Sequence, residues 1–315
     1  MNTSQISFGR RVEIAKKQLY YHRQLYVFLL LPLLYIIIFK YLPMLGIGIA
    51  FTKYTPRSGL FGGQFIGLTN FKKFIDSYQF KRVVPNTIIL STYSIVAGFP
   101  VPVILALMLN SLRSNSAKKI IQNITYIPHF ISVVVMVGMM MQLFNTRIGL
   151  FPALYHALFG TAVPDLLGSS ASFANMYVWS GIWQNMGWNA IVYIAALAGI
   201  DQQLHEAAVI DGANRWQRVL HIDLPGILPT IVVMLILRFG SVMTIGFEKV
   251  YLMQNNLNLS ASEVISTYVY KVGLSADGGN FSYATAIDLF NSLINFSLLL
   301  IVNGISRRVG DMSLW

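Results

Sequence analysis

Six long apolar segments dominate this chain: 25–51, 86–111, 121–144, 173–199, 226–247 and 283–304. A helix crosses a bilayer with about 20 apolar residues, and each segment is long enough to do so with some tilt. Burying all six in a water-soluble fold would need a core far larger than one domain builds. Composition agrees. Hydrophobic residues make up 55 % of the 315 residues and charged ones 11 %, against roughly 25 % charged in soluble domains. The expected fold is an all-α membrane protein with six transmembrane helices at 25–304, a basic tail at 1–24 and a short tail at 305–315.

The formal net charge of +11 raises nucleic acid as a partner. That reading fails on placement, because the basic residues sit in short loops between apolar segments, where membrane topology places them. The tail cluster Arg10, Arg11, Lys16, Lys17 and Arg23, with Arg307 and Arg308 closing the last segment, puts both termini on the cytoplasmic side. Val12, Ala15 and Leu19 share one face of a possible tail helix, which suits either an anionic inner leaflet or plain solvation. The first apolar run has no small-residue cleavage site behind it, so it reads as a retained span. The chain has no cysteine, which removes thiolate chemistry and disulfides. The stretch 150–159 is apolar but too short to span, and reads as an interfacial helix.

The segment between the fourth and fifth spans, 200–225, is unlike a simple connector. Asp201 can cap a helix that Glu206, Ala207 and Ala208 favour, and Gly212 suits a left-handed stop. Asn214 can cap a second short helix through Val219 or Leu220, and Pro225 and Pro229 then open the next span. The expected product is helix, turn, helix and Pro-led span. On physical grounds alone a merely structured connector is the preferred reading.

Glu206-Ala207-Ala208, Asp211-Gly212-Ala213, Ile222 and Leu224-Pro225 resemble the EAA loop of ABC-importer permeases. Val219 stands where that pattern usually has Phe, and Asp223 where it has Thr or Ser. FIGLTNF (65–71), NTIILSTYSIVAGFPVPVILALMLN (86–110), YIPHFIS (126–132), GFEKVYLM (246–253), VISTYVYKVGL (264–274), YATAIDLFNSLIN (283–295) and the closing SLW extend the likeness over nearly the whole chain. They are similar to the polysaccharide and complex-oligosaccharide branch of carbohydrate-importer permeases.

The resemblance implies a type I ABC-importer permease fold in a bacterial inner membrane, with 200–225 as a cytoplasmic coupling helix. It implies a second permease, two cytosolic ATPase subunits holding ATP and Mg, and an extracytoplasmic solute-binding protein. The solute would be an oligosaccharide, moved by alternating access. The chain itself is expected to be neither an enzyme nor a cofactor binder. No Gly is followed by Lys, so the phosphate-binding loop is missing, and the five histidines show no ligand-like spacing. A permease for another solute, such as glycerol phosphate or a small sugar, and a self-sufficient secondary transporter are the alternatives.

Polar groups inside spans usually face a cavity or the bundle interior. Trp179 and Trp183, and Asn185 and Asn189, are spaced four apart in the fourth span. Asp288, Asn291 and Asn295 lie on one face of the sixth. With Arg238 they are the candidate substrate pathway, against the alternatives of interfacial aromatics and interhelical amide bonds. A central arginine costs about 2.5–3.5 kcal/mol to insert. The preferred expectation is therefore an ion pair of Arg238 with Asp288 or Glu248, ahead of a contact with the carboxylate of an acidic sugar.

Overall fold

The computed structural model describes residues 20–60, 62–243, 245–274 and 279–310. The N-terminal tail helix and the closing SLW lie outside these. The chain divides into two compact units, Met1–Gly67 and Leu68–Trp315.

The first unit carries α1 (Arg23–Phe51) and an antiparallel pair, β1 (Thr52–Lys53) and β2 (Gln64–Phe65). The stretch Arg23–Ile36 buries no residue and is apolar all round, as a lipid-facing helix is. A π turn at Ile37–Tyr41 precedes Pro43. The widened turn absorbs a register in which the proline has no amide to give.

In the second unit the elements are α2 (Thr69–Ile75), α3 (Phe80–Asn110), α4 (Asn115–Phe130), α5 (Val133–Leu143), α6 (Leu150–Phe159), α7 (Ser170–Ala198), α8 (Gln202–Ile210), α9 (Arg215–Phe239), α10 (Phe247–Met253), α11 (Leu259–Ser262), α12 (Ile265–Gly273) and α13 (Phe281–Gly310). The helix expected at 150–159 forms as α6 and stops at left-handed Gly160.

Among the described residues four helices are long and apolar enough to cross a membrane: α1, α3, α9 and α13. A fifth span results if α4 and α5 count as one, but they meet at 98°. This corrects the single spanning helix expected over 121–144. Hydropathy is continuous there, yet Pro128 removes a donor and Ser132 starts a new helix by accepting from the Val135 amide. At 29 residues α7 is also long enough. Its Asn, Gln, Ser and Trp side chains lower its hydropathy, which keeps it out of the apolar set.

α7 organises the second unit. Its Phe173 and Val178 join one apolar cluster with Leu90, Met136 and Val250, while Ala190, Tyr193 and Leu197 join another with Val103 and Ile227. A third cluster packs Phe74, Val83 and Tyr268 against Ile287 of α13. Gly187 lets α4 close onto α7, since a Cβ there would lie 2.2 Å from the Thr125 carbonyl oxygen. Gly187→Ala must push the helices apart, at a cost of about 1–3 kcal/mol. Thermal unfolding in detergent should show a lower midpoint than for Gly98→Ala, whose Cβ would sit 3.5 Å from the Ile182 side chain.

Polar contacts tie the unit at its two ends. At one, Arg82 donates to Glu263 at 2.7 Å and to the Leu259 carbonyl, and Asn86 donates to the carbonyls of Ser260 and Glu263. At the other, Asn110 at the end of α3 meets Asp223 of α9.

Candidate functional site

The polar segment 200–225 folds largely as its residues dictate. Asp201 caps α8 by accepting from the Gln203 amide at 2.9 Å. The helix ends in a Schellman arrangement: the Gly212 amide donates to Val209 O and the Ala213 amide to Ala208 O, with Gly212 at φ +79°. Asn214 and Gln217 then form a reciprocal capping box.

Beyond this cap the structure departs from the expectation. The second helix does not stop near Leu220. It runs through a π turn at Val219–Asp223 straight into the apolar helix, so α9 is continuous from Arg215 to Phe239. Pro225 follows the π turn by two residues, the same offset as Pro43 after the π turn of α1. The turn Gly212–Asn214 is thus joined rigidly to the apolar helix.

Asp223, one of the two departures from the usual pattern, is buried. It accepts from Asn110 at 3.2 Å and lies 3.3 Å from His205 Nε2. One carboxylate therefore binds α3, α8 and α9 together. Five of the motif residues, Ala208, Asp211, Gly212, Ala213 and Ile222, surround a single depression of about 320 Å³. Glu206 and Ala207 are exposed, and the same end presents Ile210 at 86 % and Trp216 at 76 % exposure. Leu224 is half-buried and Pro225 exposed. Exposed apolar surface on an ordered element marks an interaction site for a protein, a membrane or a ligand.

A second feature lies between α3, α5, α7, α9 and α10: a cavity of about 390 Å³. Asn185 and Asn189 line it from α7 and Arg238 from α9, so three of the eight expected pathway residues converge. Asn185 Oδ1 lies 3.0 Å from His129 Nδ1, and the His129 ring stacks on Trp188 at 4.4 Å. The other five do not line this cavity. Trp179 donates to the Tyr93 hydroxyl, and Trp183 lies half-exposed on the helix surface. Asn295 accepts from the Met243 amide at 2.8 Å, which fixes the loop after α9. Asn291 is buried and Asp288 is exposed on α13.

The expected ion pair of Arg238 is not made: among the described residues no carboxylate lies within 4 Å of its guanidinium. Asp288 and Glu248 are both exposed and in no ion pair. Arg238 instead lines the cavity and is exposed.

Lys249 escaped the residue-by-residue reading. It is 8 % exposed and lines the same cavity, donating to the Tyr177 carbonyl at 2.7 Å with its ammonium 4.7 Å from the Tyr177 ring. Burial pushes the ammonium down to about 7. Its only signal was a single cation, next to Glu248, in the otherwise apolar FEKVYLM.

Residues 98–311 match the model of the binding-protein-dependent transport system inner membrane component family. The chain belongs to that family. It is 40 % identical over 291 residues to the protein LplB of Bacillus subtilis, covering 92 % of this chain and 91 % of that one. It is 38 % identical to a polygalacturonan/rhamnogalacturonan transport system permease protein of the same organism, over 93 % and 90 % of the two chains. Among solved structures, a chain of a bacterial alginate ABC transporter in complex with its alginate pentasaccharide-bound periplasmic protein superposes with a TM-score of 0.86. Its identity is 34 %, covering 95 % of this chain and 99 % of that one. The permease assignment carried by the EAA-like loop thus holds across the chain's length.

Proposed function

We propose that this permease is one transmembrane half of an ATP-driven importer of oligosaccharides released from polysaccharides. The observation that carries this is the rigid element from Asp201 to Pro225, with its exposed apolar face and its continuous join to α9. Glu206, Ala207, Ala208, Asp211, Gly212, Ala213, Ile222, Leu224 and Pro225 form the docking and transmission surface for an ATPase. Closure of two ATPase subunits around ATP and Mg pulls α8, and the Asp223 junction passes the movement to α3 and α9. Such rigid rocking is what alternating access requires.

The loop and both termini face the cytoplasm, in keeping with the basic clusters at the two ends of the chain. Six spans, counting the bent α4–α5 pair and α7, complete the membrane domain. A second permease closes the pathway, and an extracytoplasmic binding protein delivers the sugar. The named substrates of two relatives, polygalacturonan/rhamnogalacturonan and alginate, support the oligosaccharide reading. Asn185, Asn189 and Arg238 line the pathway. Trp179, Trp183, Asp288, Asn291 and Asn295 serve it indirectly, through packing or through faces turned to the second permease.

Affinity purification through a tag on this chain tests the assembly. A second homologous permease and an ATPase should copurify, and cells lacking the chain should lose uptake of at least one labelled oligosaccharide. A chain that purifies alone, with oligosaccharide uptake intact in its absence, would refute the reading.

A further inference from the structure

The central cavity holds two cations and no acid. Arg238 and Lys249 line it together with the amides of Gln184, Asn185 and Asn189, and no Asp or Glu is among its lining residues. Lys249 is more than nine-tenths buried, and its one polar partner among the described residues is the Tyr177 carbonyl. The site is shaped around it, since a Cβ on Gly181 would come within 3.1 Å of its ammonium. A buried cation without an anion is costly, and nature tolerates the cost where a ligand supplies the anion.

We infer that Arg238 and Lys249 form a carboxylate-binding subsite that selects uronate-containing oligosaccharides as they cross the membrane. The inference rests on the oligosaccharide-import reading and adds the charge of the substrate. The geometry suits such a ligand. Arg238 offers a planar fork that matches a carboxylate bidentately, Lys249 offers a point charge, and the Asn189 amide can accept from and donate to ring hydroxyls, while Asn185 and Gln184 are held by His129, Gly181 and Ile131. The volume, about 390 Å³, holds a sugar unit or two at a time. Burial weakens the Lys249 charge, and a carboxylate beside it favours the charged form.

The test uses the whole transporter, purified through a tag on this chain, placed in proteoliposomes and supplied with its binding protein and ATP. The probes are oligogalacturonates and alginate pentasaccharide, each compared with its carboxyl-reduced counterpart. The wild type should take up the uronates with the lower KM. In Arg238→Gln and Lys249→Met the preference, measured as the ratio of the two KM values, should fall by about 10- to 100-fold, the loss expected for a charge-assisted contact. Arg238→Lys should restore part of it. Arg238 is exposed and in no ion pair, so its substitution gives a reading even if Lys249→Met fails to assemble.

A wild type that prefers the reduced sugars, or variants whose preference is unchanged, would overturn the subsite and leave oligosaccharide import standing. A wild type that moves neither class would overturn both.

Discussion

Gly212→Val is expected to separate this permease from its ATPase. Gly212 holds φ at +79°, and nothing lies within 4 Å of a Cβ placed there, so the penalty is conformational and not steric crowding by neighbours. The left-handed region costs an L-residue roughly 1–2 kcal/mol, and a β-branched side chain sits at the upper end. That corresponds to about a 5- to 30-fold fall in the fraction of loops held in docking geometry. The Ala213-to-Ala208 bond that closes α8 would be lost with it. Copurified ATPase and ATP-driven uptake should fall together. Gly212→Asn, which tolerates this conformation, should retain most of both. Equal ATPase recovery from the valine variant and the wild type would show that the turn is not the coupling element.

Arg82→Met should give the largest loss of stability. The Glu263 side chain is 6 % exposed, and Arg82 supplies its close counter-charge at 2.7 Å. Lys271 is 3.8 Å away on a side chain 68 % exposed, so it screens weakly. Removing one partner of a buried pair costs about 3–5 kcal/mol, because the other charge stays behind. Unfolding in detergent should show this loss, and the double variant Arg82→Met/Glu263→Gln should recover a substantial part. A single variant as stable as the wild type would contradict the role of this pair in holding the fold.

Local chemistry was legible in the sequence. Asp201, Gly212 and Asn214 each act within a few residues of themselves, so cap, stop and cap could be read from residue type. The long apolar helices followed from hydropathy. The bend between α4 and α5 did not, because apolarity runs unbroken across it and only Pro128 and Ser132 punctuate it. The second short helix was read as ending near Leu220, since a π turn that carries a helix through to Pro225 leaves no compositional mark.

The site was legible only in part. Spacing placed Asp288, Asn291 and Asn295 on one helical face, yet it could not say that Asn295 is used by the Met243 amide. Arg238 was expected to need a carboxylate, because a lone charge in a span is expensive. The cavity that Arg238 lines is built from five helices and is invisible to any single segment. Lys249 enters that cavity from a short helix outside the apolar runs, where a search for polar residues within spans does not look.

The central claim is that this chain converts ATP turnover on another subunit into passage of an oligosaccharide. Uptake of labelled oligosaccharide by proteoliposomes holding the copurified complex tests it most directly, with ATP or the binding protein withheld in turn. The account predicts uptake only when both are present, and its loss in Gly212→Val. Uptake by this chain alone, driven by an ion gradient and indifferent to ATP, would contradict it.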